Sequence, residues 1–155
     1  MKEKDFRKLF EYLPPERSNE VPQAISWFSG AGIYITAYIG KDESVTIPAD
    51  VDGVPICGVL GFGENKAVKR VSLPKHAETW ISLGEGAFKN CINLETLVFD
   101  AESTRFIPGA FQGCNKLYNK EGLLILDGIL LDDLQKNSRA HFEVPNSVKK
   151  IWWGI

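Results

Sequence analysis

The sequence has no long apolar run and no excess of charge of one sign. Its longest apolar stretches fall far below the roughly 18 residues that a membrane-spanning helix needs, so we expect no membrane insertion. The formal net charge of −2 provides no basic surface, which argues against nucleic acid as a partner. The charged residues 1–8 do not lead into the apolar core of a signal peptide. We therefore expect a cytoplasmic protein, or a secreted or cell-surface one if an export signal has been removed.

Residues that commonly carry chemistry are scarce. Three cysteines, an odd number, do not form a disulfide framework. His76 and His141 each precede a glutamate by two residues (Glu78 and Glu143), as in zinc deaminases, but the Pro-Cys-x-x-Cys half of that signature is absent. The sequence therefore predicts no catalytic residues, no metal ligands and no cofactor, and we expect a protein that is not an enzyme.

An internal repeat is the strongest signal that the sequence does contain. Apolar triplets recur 26 residues apart at 45–47, 71–73 and 97–99, and the same step reaches 123–125. A second pattern places an aromatic residue, a Cys or Asn, and an aliphatic residue in steps of three: Phe62, Asn65, Val68; Phe88, Cys91, Leu94; Phe111, Cys114, Leu117. One such coil cannot bury its own apolar face, whereas stacked coils form a continuous core. We expect the Cys or Asn to donate a hydrogen bond to buried backbone carbonyls.

These repeats resemble those of the BspA-like leucine-rich-repeat proteins of bacteria. Residues 85–99 follow the family pattern Ala-Phe-x-x-Cys-x-x-Leu-x-x-Ile closely, and 126–151 resembles its longer variant repeat. The resemblance covers about residues 33–155 and implies an α/β fold: a leucine-rich-repeat solenoid of about 4–5 coils with a parallel sheet of short strands and an incomplete last repeat. It also implies a protein-binding module, as in bacterial surface proteins that contact host or partner proteins.

Residues 1–32 are predicted to be an N-terminal helical cap and lead-in. Four apolar residues lie at helical spacing before Pro14-Pro15: Phe6, Leu9, Phe10 and Leu13. Such a capping helix would cover the open edge of the solenoid. A helix that docks a partner or lies on a membrane surface is the alternative, and its mixed charge disfavours the membrane version.

The C-terminal residues break off within a further repeat. Trp152, Trp153 and Ile155 carry too much apolar area to be left in water without consequence. The sequence leaves three alternatives open: the residues fold back as a cap, they pack against another molecule, or the chain is a fragment. The second alternative includes a homodimer through the C-terminal edge.

Side chains that flank the core positions of the predicted strands form a candidate partner-binding face. They are Glu43, Ser44, Thr46, Lys69, Arg70, Ser72, Glu95, Thr96 and Val98. An ordinary polar sheet surface is the alternative interpretation. For the whole chain, we expect a non-catalytic protein-protein interaction module with an unknown partner. A structural or self-associating end piece of a longer array or surface adhesin is the second hypothesis, and an undetected enzyme is the third.

Overall fold

The computed structural model describes residues 1–76, 79–138 and 140–152, except for the side chain of Phe28. Its helices are α1 (Glu3–Phe6), α2 (Gln23–Ser29) and the short 3-10 helices Pro15–Glu20 and Asn115–Leu117. Its strands are β1 (Phe10–Leu13), β2 (Ile33–Tyr38), β3 (Ser44–Thr46), β4 (Asp50–Val51), β5 (Val54–Val59), β6 (Arg70–Ser72), β7 (Ile81–Leu83), β8 (Thr96–Val98), β9 (Thr104–Phe106), β10 (Leu123–Leu126), β11 (Ile129–Asp133) and β12 (Lys150–Ile151).

The largest sheet has the strand order β1-β2-β5-β7-β9, with β4 paired to β5. Its strands β2, β5, β7 and β9 are parallel, and β1 runs antiparallel along the edge of β2. One row across this sheet consists of Tyr34, Gly58, Ser82 and Arg105. We call this largest sheet the covered sheet, because a segment of the same chain lies over its outer face.

A second sheet, the open sheet, has the order β3-β6-β8 and is parallel throughout. Val45, Val71 and Leu97 are paired across it, which is the 26-residue register that the sequence predicted. All three are buried. The molecule is therefore a β-solenoid, whose successive coils contribute one strand to each of these two parallel sheets.

Aromatic rings form a column through the core between the two sheets. The ring centroids of Phe62 and Phe88 are 5.0 Å apart, and those of Phe88 and Phe111 are 5.7 Å apart. Towards the N-terminus the column continues through Tyr38, 5.2 Å from Phe62, to Phe10, 5.4 Å from Tyr38. The aromatic position of each predicted repeat thus contacts the equivalent position of the next coil.

The Cys or Asn position satisfies backbone carbonyls, as predicted. Asn65 donates from Nδ2 to the carbonyl oxygens of Tyr38 at 3.1 Å and Gly40 at 3.0 Å. The Cys114 thiol donates to the carbonyl oxygen of Phe88 at 2.8 Å. Burial raises the pKa of Cys114 to about 12, so the thiol keeps the proton that it donates.

The helix predicted from the apolar spacing between Phe6 and Leu13 is wrong in extent. α1 is a single turn, and residues 10–13 form β1, which pairs with the edge of β2. A residue before proline is biased towards extended backbone, and Leu13 precedes Pro14. The edge of β2 also needs hydrogen-bond partners that a helix could not supply. Phe6 and Phe10 are nevertheless buried, so this segment covers the end of the core.

The fourth predicted triplet, 123–125, does not join the open sheet. It lies in β10, which forms an antiparallel hairpin with β11, and β12 then pairs parallel to β11. Asp127 and Gly128 form the hairpin turn with φ values of 50° and 73°. An Asp-Gly pair with both φ values positive matches the twist of a two-residue hairpin, and this local preference overrides the 26-residue period.

Candidate functional site

Residues 14–32, which we call the strap, lie across the outer face of the covered sheet. Ile25 of α2 packs there in a small cluster with Val21, Tyr34 and Cys57. This cluster is separate from the main core and is sealed, since all four residues are buried. The strap therefore makes the outer face of the covered sheet inaccessible to a partner in the region of Tyr34.

Polar contacts fix the strap to several coils. The Tyr34 hydroxyl donates to the carbonyl oxygen of Gly30 at 2.7 Å, and the hydroxyls of Ser29 and Ser82 are hydrogen-bonded to each other. Arg105 donates to the carbonyl oxygen of Ala24. These contacts reach β2, β7 and β9, so the strap spans the width of the parallel part of the sheet.

Among the residues that the structure describes, by contrast, no segment lies over the outer face of the open sheet. Its side chains form two rows across the strands. One row consists of Ser44, Arg70 and Thr96, and the other consists of Thr46, Ser72 and Val98. Three of the four row ends, Ser44, Thr46 and Val98, are exposed, and Thr96 is half-buried. Val98 retains 40% of its accessible surface. Neighbouring strands in a sheet are about 4.8 Å apart, so the two rows present closely spaced, mostly hydroxyl-bearing side chains. The structure thus brings six of the nine predicted partner-binding residues together on one surface.

The other three predicted residues lie just before β3, β6 and β8 and form ion pairs: Glu43, Lys69 and Glu95. Lys69 Nζ is 2.9 Å from a carboxylate oxygen of Glu43, and this hydrogen bond raises the pKa of Lys69. Glu95 is 3.6 Å from Lys116 Nζ. No ion pair involves Arg70 within the described ranges. Arg70 is therefore the positive charge of this face that remains available to a partner.

At the C-terminal end, Trp152 lies against the last strand of the covered sheet. Its indole N–H donates to the carbonyl oxygen of Phe106 at 3.1 Å, and the two rings meet edge to face with centroids 5.5 Å apart. Lys150 Nζ is 5.4 Å from the centroid of the Trp152 ring. Trp152 thus provides a donor at the edge of β9, where a further coil would pair. Trp153 and Ile155 lie outside the described residues.

Residues that could carry chemistry are dispersed. His76 Nε2 is 2.7 Å from the carbonyl oxygen of Ile56, and Glu78 lies outside the described residues. Burial raises the pKa of Cys91 to about 11, which keeps it a thiol rather than a thiolate nucleophile at neutral pH. In the part of the chain that the structure describes, no three His, Cys, Asp or Glu side chains are grouped to hold a metal. Nor does that part contain a helix long and apolar enough to cross a membrane.

The architecture has a counterpart among solved structures. It is similar to a leucine-rich-repeat protein. The crystal structure of this T. pallidum protein matches with a TM-score of 0.54 and 26% sequence identity. The match covers 93% of our chain and 62% of the T. pallidum chain, so our chain spans less than two thirds of that neighbour. No family model matches the sequence, and no curated protein does.

A further surface was not predicted from the sequence. A groove of about 670 Å³ runs beside α2, and Trp27 projects into it. The sequence does carry signals for this helix, because Pro22 precedes it and Gly30 follows it. Its apolar residues are too few to produce a helical period, which is why the repeat pattern drew attention elsewhere.

Proposed function

We propose that this chain is a non-catalytic protein-binding module of the BspA-like leucine-rich-repeat kind, and that the partner docks on the outer face of the open sheet. One observation carries the proposal: the strap covers the outer face of the covered sheet, whereas no segment of the described chain covers that of the open sheet. A solenoid with one face closed by its own chain offers the remaining face for recognition.

The fold and the structural neighbour support this class of function. Leucine-rich-repeat folds typically mediate protein-protein interaction and are generally non-enzymatic. The neighbour's name specifies a repeat type and no ligand. The partner must therefore be inferred from the surface itself.

The chemistry of the open sheet indicates what the partner must offer. The ion pairs at Lys69 and Glu95 leave little uncompensated charge along the margin of the face. Arg70, near the middle, can form a two-point hydrogen bond with a carboxylate. Thr96 and Ser72 beside it are small and provide hydroxyls. A flat protein surface with a central Asp or Glu fits this arrangement.

The test compares two neighbouring cations. Partners are captured from lysate and culture supernatant and identified, and the dissociation constant of the purified pair is measured for the wild type, Arg70→Glu and Lys69→Gln. We expect Arg70→Glu to weaken binding by about tenfold or more, because an unpaired arginine at an interface centre is a frequent hot spot. Lys69→Gln, which alters a residue already paired within the chain, should change binding less. Undiminished binding of Arg70→Glu would remove this face from consideration.

A second candidate is self-association through the C-terminal edge. β12 forms the edge of the C-terminal sheet, and the exposed side chains of Leu134, Val144 and Ile151 lie in the same region of the chain. An exposed strand edge beside apolar side chains favours pairing with another chain. Light scattering at increasing concentration should then show a dimer mass that Ile151→Asp reduces to the monomer. A monomer mass at all concentrations would contradict this second candidate.

A further inference from the structure

Trp27 differs from the other aromatic residues in its exposure. Its side chain is 84% exposed, and Trp80 follows with 38%, whereas the remaining described aromatic side chains are buried or half-buried. Tryptophan buries a large area when it finds a partner, and it is enriched at interfaces for this reason. Trp27 therefore contributes little to packing within the fold and is available to a ligand.

The groove around Trp27 is polar but uncharged. Its other lining residues are Ser18, Asn19, Val21, Gln23, Ser26, Gly30 and Ala31. None of them is an acid or a base, although 25% of the residues in this protein are charged. A groove without charged side chains is poorly suited to a phosphate, a carboxylate or a polyanion, and suits a neutral ligand.

Two side-chain amides of the groove are available to a ligand. In the described part of the chain, no hydrogen bond involves the side-chain amides of Asn19 and Gln23. Gln23 and Trp27 lie four residues apart on α2, so their side chains are neighbours on one face of the helix. Each amide offers two N–H donors and one carbonyl acceptor. The groove thus combines an aromatic face with free donors and acceptors at its margin.

This combination matches the chemistry of a neutral sugar. One face of a pyranose ring presents C–H groups with a small positive charge, which complement the negative face of an indole. The hydroxyls at the ring margin need both donors and acceptors, which Asn19 and Gln23 supply. We propose that Trp27, Asn19 and Gln23 form a binding site for an uncharged oligosaccharide. The site goes beyond the proposed function, because its surface and its class of ligand are both different.

The strap holds this site in a fixed position before a ligand arrives. Ile25 is buried on the opposite side of the same short helix, and Ser29 is hydrogen-bonded to Ser82 of β7. Contacts that order a site in advance reduce the entropy lost on binding. Trp27 is therefore mounted on an anchored helix rather than on a free segment.

The test titrates the intact protein with three neutral oligosaccharides: cellohexaose, chitohexaose and maltoheptaose. Binding is followed by calorimetry and by changes in amide NMR signals. We expect at least one to bind with a dissociation constant of about 1 mM or below. Trp27→Ala should abolish binding, and the double variant Asn19→Ala/Gln23→Ala should weaken it by about tenfold. Trp80→Ala is the matched control, since it removes an exposed tryptophan outside the groove and should leave binding unchanged.

Three results would overturn the proposal. They are the absence of binding to all three sugars, binding that persists in Trp27→Ala, and an equal loss in Trp80→Ala. If Trp27→Ala instead weakens capture of a protein partner without sugar binding in the wild type, the groove is a protein-docking surface. Arg70→Glu should leave sugar binding intact, so failure at the open sheet and failure at the groove are distinguishable.

Discussion

The covered sheet and the open sheet are built by the same repeat but differ in what lies outside them. The strands that the repeat contributes are parallel in both sheets, and both sheets turn an apolar face to the same core. In the covered sheet, Gly58 and Ser82 are buried beneath other groups of the chain. In the open sheet, the side chains next to Ser72 end in solvent. The repeat therefore determines the core, whereas the segment that precedes it determines which face is accessible.

A larger side chain at an outward position should give the largest difference in stability between the two sheets. Gly58 on the covered sheet and Ser72 on the open sheet are such positions. A Cβ at Gly58 would lie 2.8 Å from the carbonyl oxygen of Ser82 and 2.8 Å from the Tyr34 ring. We expect Gly58→Val to lower the free energy of unfolding by about 3 kcal/mol, because backbone and ring must both move. Ser72→Val, on the open sheet, should change it by less than about 0.5 kcal/mol. Urea denaturation of both variants checks this, and similar losses would show that the open face is also covered.

Truncation of an apolar side chain in the strap should have a smaller effect. Ile25→Ala removes buried groups from the cluster with Tyr34 and Cys57, so we expect a loss of about 2 kcal/mol in the free energy of unfolding. Val98→Ala on the open sheet should cost less than about 0.5 kcal/mol. Thermal or urea unfolding provides the measurement. Equal effects of the two variants would mean that the strap contributes no more than an exposed residue does.

The smallest effect concerns access to the thiol beneath the strap. Burial raises the pKa of Cys57. While the strap covers it, the Cys57 thiol is therefore protonated at neutral pH and reacts slowly with a thiol reagent. Its labelling should rise with pH towards the ordinary thiol range, because only the opened state provides a thiolate. Ile25→Ala should accelerate labelling of Cys57 and leave Cys91 and Cys114 unchanged. Mass spectrometry of labelled peptides measures this, and uniform acceleration would indicate global unfolding instead.

The core of the fold could be predicted from the sequence because it repeats. Phe62, Phe88 and Phe111 lie in equivalent positions, and their stacking follows from the register of the coils. The role of Asn65 and Cys114 as donors to carbonyls also follows, since a buried turn must satisfy its backbone. These features depend on positions that several coils share, so the pattern reports each of them more than once.

Features that occur only once were not predictable in the same way. The spacing of Phe6 and Phe10 fits a helix, but the unpaired edge of β2 recruits residues 10–13 as a strand. The strap is not part of the repeat, and its residue Ser29 contacts Ser82, which lies 53 positions further along the chain. The outward rows at Arg70 were predicted from strand alternation, but the ion pair that neutralises Lys69 depends on the three-dimensional neighbour Glu43.

The contact of Trp152 with Phe106 has a consequence for how such a chain can change in length. A single side chain provides the hydrogen-bond donor that a whole strand would otherwise contribute at that edge. This contact is thus independent of the number of coils before it. Duplication of one 26-residue unit within the array would lengthen the molecule by about 4.8 Å and leave the Trp152 contact as it is. The open face could then become broader without a change at this contact.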